Sequence, residues 1–368
     1  MQIFLSAGDP SGDIAAARAV TELTALRPDI SCFGLGGERL KSLGQEQFAE
    51  PSQLAVLGFW EVAKRFPFFR RLFHRCLDEI DSRKPACAVL VDYPGFNLRL
   101  AKEIKKRGIP IVYYIAPQVW AWGKGRIHNI RELVDLLLVI LPFEQKVFSD
   151  GHVRHEFVGH YLLEDIPKSY ISSPIPSSQT LAILPGSRHQ EIDRMLGPLL
   201  RAAKLFCAKS GFRAQIAAIK GCYDYESAVA SWGFPRVEIV YDDSRRVLFD
   251  GQCALVASGT ATLEAAIIGR PMVITYRTSW STYQIAKRLI NLDAIGLVNL
   301  TAGKKIVPEL IQGEMNPESI CQALLNIVSP EQSGVIKAEL ERIPALLGGE
   351  GASQRVASSI LRICQGRG

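Results

Sequence analysis

Short apolar runs of four to six residues recur along the chain, each closing near Gly, Pro or Asp, with helix-like stretches between them. In the first half they are Ile3–Ala7, Cys32–Leu35, Ala88–Val91, Ile111–Ile115 and Leu136–Leu141. In the second half they are Leu181–Leu184, Ile216–Ile219, Val237–Val240, Ala254–Ala257 and Met272–Thr275. Continuous rather than alternating hydrophobicity predicts parallel strands covered by helices on both faces. Two such series predict two doubly wound, Rossmann-like α/β domains, over residues 1–165 and 179–345. The Pro- and Ser-rich stretch from Pro167 to Ser178 reads as the linker between them. From about Pro317 onward the pattern is helical, and residues 346–368 read as a C-terminal helix.

Length agrees with two domains, because 368 residues exceed the size at which one core usually keeps growing. The formal charge of +6 suits nucleotides, phosphates or anionic headgroups and is too weak to argue for nucleic acid. Eight cysteines form no CxxC pair and several sit in apolar runs, so free buried thiols in a reducing compartment are expected rather than a disulfide framework. Neither they nor the six histidines show zinc spacing, and no metal is expected. The N-terminus MQIFLSAGDPSGD reads as a first strand rather than a signal peptide, and no apolar run is long enough to span a bilayer. The expectation is a soluble cytoplasmic protein that can still dock on a membrane surface.

Parallel sheets bind ligands beyond the carboxyl ends of their strands, which is where the unusual residues fall. After the first run comes Ser6-Ala-Gly-Asp-Pro-Ser-Gly-Asp13, in which Gly8, Asp9, Ser11 and Gly12 could bring backbone amides close to a ligand; alternatively Ser11 or Asp13 simply caps the next helix. Asp92 follows a buried run in Val91-Asp-Tyr-Pro-Gly-Phe-Asn97, placed either as a general base or as a carboxylate that caps the next helix or organises the Pro-Gly turn. Trp120 and Trp122 in APQVWAWGKGR could wall an acyl site or plug a packing gap, and Arg126 could meet a phosphate or solvent. Gly186, Ser187 and Arg188 in LPGSR suit a pyrophosphate, unless they form an ordinary β–α turn. Ser258, Gly259, Thr260 and Thr262 in SGTATLE present further donors, and Glu264 could accept from both hydroxyls of a ribose or sit on the helix surface. Finally, Phe59, Trp60, Phe68 and Phe69 interleave with Lys64, Arg65, Arg70 and Arg71, as in a segment lying in an anionic membrane interface or a helix packing on its own domain.

In this order these segments, with GLGG at 34–37, LPFE at 141–144, FVGH at 157–160 and the VNL…VPELIQ stretch, resemble the lipid-A-disaccharide synthase family over nearly the whole chain. The first motif has Asp9 where the family usually has Glu, Gly95 stands where many members have a second Asp, and Tyr161 replaces the Pro of VGHP. The resemblance implies a GT-B fold, two Rossmann-like domains facing across a cleft, with a C-terminal helix that can return to the first. It implies a UDP-2,3-diacylglucosamine donor, a 2,3-diacylglucosamine 1-phosphate acceptor, no cofactor, and peripheral attachment to the inner membrane, and it leaves room for a homodimer. Asp92 would then be the base and Arg188 would hold the departing pyrophosphate, with Ser187 and the 258–260 turn. Asn299, Glu309 and Gln312 resemble family positions near the nucleotide. The rivals are another UDP-sugar GT-B enzyme (an N-acetylglucosaminyltransferase or a nonhydrolysing epimerase) and a catalytically inert binding module.

Overall fold

The computed structural model describes residues 1–49, 66–118, 125–234, 237–277 and 294–366. The chain divides into two compact units, residues 1–161 with 348–368, and residues 162–347. In the first unit the strands are β1 (Gln2–Ala7), β2 (Ser31–Leu35), β3 (Glu46–Gln47), β4 (Cys87–Val91), β5 (Ile111–Tyr114), β6 (Leu136–Val139) and β7 (His155–Phe157). They form one sheet in the order β3-β2-β1-β4-β5-β6-β7, every pairing parallel. In the second unit β8 (Thr180–Leu184), β9 (Arg213–Ala218), β10 (Val237–Tyr241), β11 (Cys253–Ala257), β12 (Met272–Tyr276) and β13 (Glu309–Ile311) give the order β10-β9-β8-β11-β12-β13, again all parallel.

The ten apolar runs are therefore the nine inner strands and the edge strand β10, with ends shifted by up to three residues. Strands β4, β5, β6, β8 and β11 are buried along their whole length, which is why their hydrophobicity is unbroken. The short strands β3, β7 and β13 sit at sheet edges, where only one neighbour and partial burial are required, so no apolar run announces them. In both sheets the order reverses between the first and the fourth strand of the series: β1 beside β4, and β8 beside β11. That reversal opens a crevice beyond the carboxyl ends of those two strands.

The stretch read as a linker is docked on the second unit. Tyr170 stacks on Phe249 at 4.0 Å, and the Ser172 amide donates to the Ile267 carbonyl at 2.8 Å. Arg270, 1% exposed, holds the same segment. Its guanidinium donates to the Ser173 carbonyl and hydroxyl (3.0 and 2.7 Å), to Leu248 and Phe249 (3.0 and 3.1 Å) and to Ile268 (3.4 Å). The last three acceptors are carbonyls at the C-terminal ends of the helices Ser244–Asp250 and Ala261–Ile268, so two negative dipole ends compensate one buried cation. Burial pushes the Arg270 guanidinium down to about 10, still charged at neutral pH.

The helix Ala352–Cys364 belongs to the first unit and packs along the helix Pro10–Leu26. Arg355 donates to the Val158 carbonyl at 2.8 Å, Ser359 to Glu156 at 2.7 Å, and Arg362 pairs with Glu156. Cys364 lies against Cys87 of β4, their Cα atoms 5.4 Å apart. The other six cysteines are free thiols. Among the described residues no helix is long and apolar enough to cross a membrane.

Removing the Arg270 side chain would orphan the carbonyls at two helix ends. Arg270→Ala is expected to lower the unfolding free energy by about 3 kcal/mol, measured by urea titration; a loss within a few tenths of a kcal/mol would show that water replaces the guanidinium.

Candidate active site

Each switch point collects two of the motifs, and the first unit shows how. Asp9 caps the helix Pro10–Leu26 by accepting from the Gly12 amide at 3.1 Å, and Ser11 donates to the same carboxylate at 2.5 Å. The expectation that Ser11 or Asp13 is the cap is corrected. Asp13, 6% exposed, instead accepts from the amides of Gly37, Arg39 and Leu40 at 2.7, 3.0 and 3.2 Å, fixing the GLGG turn after β2. An acidic residue in a first helical turn looks like its own helix's partner, so the sequence does not disclose this bond.

The neighbouring strand β4 ends in a strained elbow. Asp92 and Tyr93 both take left-handed backbone, with φ of 43° and 50°. For non-glycine residues this costs on the order of 1 kcal/mol or more each and persists only where the surroundings hold it. Here the Asp92 carbonyl accepts from the Tyr113 hydroxyl at 2.6 Å and from the Asn97 amide at 2.9 Å, while the Asp92 amide donates to the Tyr114 carbonyl at 2.9 Å. Asn97 is fully buried, also donates to the Val91 and Ser6 carbonyls (3.1 and 3.3 Å), and accepts from the Ser6 hydroxyl at 2.7 Å. It is therefore a brace between β1 and β4, and the expectation that it touches an acceptor is corrected. Tyr113 was not foreseen; inside the continuous run IVYY it reads as core. Burial, with the Asp92 charge near it, pushes its phenol well above the usual range, so it stays a donor. Tyr93, not Asp92, occupies the N-cap position of the helix Pro94–Lys106.

The two turns touch through Gly8. A Cβ there would lie 2.3–2.7 Å from atoms of the Tyr93 ring, so only glycine lets the elbow fold over the first motif. The Asp9 charge and burial both push the Tyr93 phenol upward, burial more strongly.

In the second unit, LPGSR and SGTATLE leave the adjacent strands β8 and β11. Gly186 has φ of 120°, outside the range of other residues. Ser187 and Arg188 are exposed at the start of the helix His189–Ser210, where Arg188 pairs with Glu191 at 3.5 Å and the Ser187 amide donates to Glu191 at 3.4 Å. Ser258 and Gly259 are half-buried and Thr260 is exposed at the N-cap of Ala261–Ile268. Thr262 is fully buried, and its hydroxyl donates to the Gly259 carbonyl at 2.8 Å. It shapes the turn, and its expected contact with the nucleotide is corrected.

Glu264 is engaged by a residue the sequence did not single out. Arg245 donates through Nε and Nη2 to Glu264 Oε1, both at 3.1 Å, and to the carbonyl and carboxylate of Asp165 at 2.8 and 2.5 Å. An arginine just after the Asp242-Asp243 pair reads as solvated surface, which is why it went unnoticed.

Asn299 is 1% exposed, accepts from the Ile306 and Val307 amides (2.8 and 3.1 Å), and donates to Val307 and Glu309 (2.9 and 2.7 Å). Glu309 in turn accepts from the Ile295 and Gly296 amides at 2.9 and 3.0 Å. Both hold the loop beside β13, and a direct nucleotide contact by Asn299 is corrected on this packing. Gln312 follows β13 with a left-handed backbone.

Of the basic aromatic segment, Phe59, Trp60, Lys64 and Arg65 lie outside the described residues, as do Trp120 and Trp122. Arg126 falls in the helix Gly125–Leu133. Phe68 and Phe69, on the helix Phe66–Arg83, are half-buried and pack partly against the first unit's core; Arg70 and Arg71 are exposed.

Two Rossmann-like units, each with a pair of glycine-bearing turns at its switch point, place the chain in the GT-B class of glycosyltransferase folds. A putative UDP-N-acetylglucosamine 2-epimerase from Listeria monocytogenes shares the fold at a TM-score of 0.70, with 10% identity, over 98% of this chain and 96% of that one. A calicheamicin glycosyltransferase does so at 0.61, with 16% identity, over 99% and 98%. The family is settled by sequence: a model described as lipid-A-disaccharide synthetase matches residues 3–362. Proteins named lipid-A-disaccharide synthase from Anaeromyxobacter sp. (strain K) and Myxococcus xanthus (strain DK1622) are 38% and 36% identical, each over 98% of this chain and 97% of the relative. The chain belongs to the lipid-A-disaccharide synthase family.

Because the Gly8 Cα sits against the Tyr93 ring, Gly8→Ala is expected to destabilise the first unit by about 1–3 kcal/mol through overpacking. Urea unfolding checks this, and an unchanged midpoint would show that the ring has room to move.

Proposed function

We propose that this chain joins UDP-2,3-diacylglucosamine to 2,3-diacylglucosamine 1-phosphate, giving the β-1,6-linked disaccharide 1-phosphate and UDP. The observation that carries the reading is the pairing of motifs at two switch points: Asp92 with the 8–12 turn in one unit, Arg188 with the 258–260 turn in the other. In the reaction Asp92 takes the proton of the acceptor 6-hydroxyl. The oxygen attacks the anomeric carbon on the face opposite UDP, the bond to the β-phosphate oxygen breaks, and its electron pair leaves with UDP. Help from a general base is typically worth about 10²–10⁴-fold.

Negative charge grows on the departing pyrophosphate. Arg188, Ser187 and the donors of Ser258, Gly259 and Thr260 supply fixed opposite charge there, each such group being worth about 3–4 kcal/mol in comparable sites. Glu264 binds the ribose. Gly8, Asp9, Ser11 and Gly12 form the acceptor side beside Asp92. Two acyl chains anchor a lipid firmly, so both substrates stay at the bilayer while their sugars react. The exposed Arg70 and Arg71 suit its anionic surface. The epimerase likeness is one of fold at 10% identity, whereas the synthase likeness is one of sequence at 38%, so the transfer reaction is the reading favoured.

The test is incubation with both substrates in anionic vesicles, followed by mass analysis and anomeric assignment by NMR. A disaccharide 1-phosphate with a β linkage is expected. UDP release without disaccharide, an α linkage, or a donor epimerised at C2 would overturn the proposal.

A further inference from the structure

Arg245 has no assigned role, yet it makes two hydrogen bonds to Glu264, which follows the second unit's 258–262 turn. It stands on the helix Ser244–Asp250, whose N-terminus is capped by Asp243 accepting from the Arg246 amide at 3.1 Å, so its backbone is fixed. Its side chain is 25% exposed and bridges two carboxylates more buried than itself, Asp165 at 4% and Glu264 at 16%. Both bonds to Glu264 go to Oε1, and among the described residues no hydrogen bond engages Oε2. Asp165 fixes the far side of the guanidinium, through its carbonyl on Nη1 and its carboxylate on Nη2.

We propose that Arg245 is a positioning residue for nucleotide recognition: by claiming Oε1 it orients Glu264 and leaves Oε2 alone to accept from the ribose hydroxyls. This rests on the assignment of Glu264 to the ribose, and it narrows that assignment from two carboxylate oxygens to one. A buried carboxylate left unpaired takes up a proton, and a protonated one no longer accepts at both oxygens. Burial raises the Glu264 carboxyl most, Arg245 pulls it down and Asp165 raises it, and the balance lies above the usual glutamate range. Arg245 therefore opposes the two influences that would neutralise Glu264. Asp165 fixes the guanidinium so that Glu264 is met in one geometry.

Removal of the cation has a defined sign with pH. Without Arg245 the Glu264 carboxyl rises further, so ligand affinity is lost as pH falls and is regained as pH rises. Disturbed packing alone would weaken binding by the same factor at every pH.

The experiment is calorimetric titration with UDP and with 2′-deoxy-UDP at pH 6.0 and 8.5, on the wild type and on Glu264→Gln, Arg245→Gln, Arg245→Lys and Arg245→Gln with Asp165→Asn. The double variant also neutralises Asp165, the second carboxylate that Arg245 bridges, and gives a second protein lacking the guanidinium. Glu264→Gln is expected to weaken UDP by about 10-fold and to abolish the preference for UDP over 2′-deoxy-UDP. Arg245→Gln and the double variant are expected to weaken UDP by about 10-fold at pH 6.0 and clearly less at pH 8.5, with Arg245→Lys in between. If Glu264→Gln binds UDP like the wild type, the ribose assignment itself is wrong. If Glu264→Gln is weakened while the folded Arg245 variants keep wild-type affinity, or lose it equally at both pH values, the ribose assignment stands and the role given to Arg245 is overturned.

Discussion

The first unit's chemistry depends on one carbonyl group, that of Asp92, held from two sides. Tyr113 on β5 and Asn97 on the following helix both donate to it, and Asn97 also ties it back to β1 through Ser6. Two consecutive residues with positive φ would otherwise relax into ordinary turn geometry, carrying the carboxylate away from the strand end. The brace is made of buried side chains without charge, so it holds geometry while leaving the local charge to Asp92 and Asp9. Gly8 completes it by giving the Tyr93 ring a place to lie.

The second unit solves a related problem with charge. Arg270 gathers two helix ends and the chain entering the unit, and Arg245 gathers Glu264 and Asp165. In each case a guanidinium, with its five donors in one plane, links segments far apart in sequence. Arg188 does neither: it is exposed beside Glu191 and the Ser187 amide, where an anionic ligand can reach it. The same residue type thus serves as scaffold where buried and as a candidate ligand group where exposed.

The nine inner strands were legible because strands buried on both faces cannot alternate polar and apolar residues. The motif turns were legible because glycine, proline and small hydroxyl residues just after a strand have few other uses. What stayed hidden was of one kind: long-range hydrogen bonds made by ordinary residues. Asn97 and Asn299 sit in motifs, yet their amides turn inward to brace carbonyls and amides, a direction that composition does not give. Tyr113, Arg245 and Arg270 are unremarkable locally and act across 21, 19 and 97 positions respectively. Phe68 and Phe69 show the converse, since aromatics interleaved with arginines suit a membrane or a core equally well, and here they stand half-buried against the core.

The most direct measurement is the turnover of Asp92→Asn on both lipid substrates, with UDP affinity measured on the same preparation. Asparagine keeps the size and the backbone acceptor that the brace needs and removes only the proton-accepting charge. A loss of about 10²–10⁴-fold in kcat with UDP affinity unchanged is the expected result. Wild-type turnover by this variant would contradict the assignment of Asp92 as the base and leave the braced elbow a purely structural device.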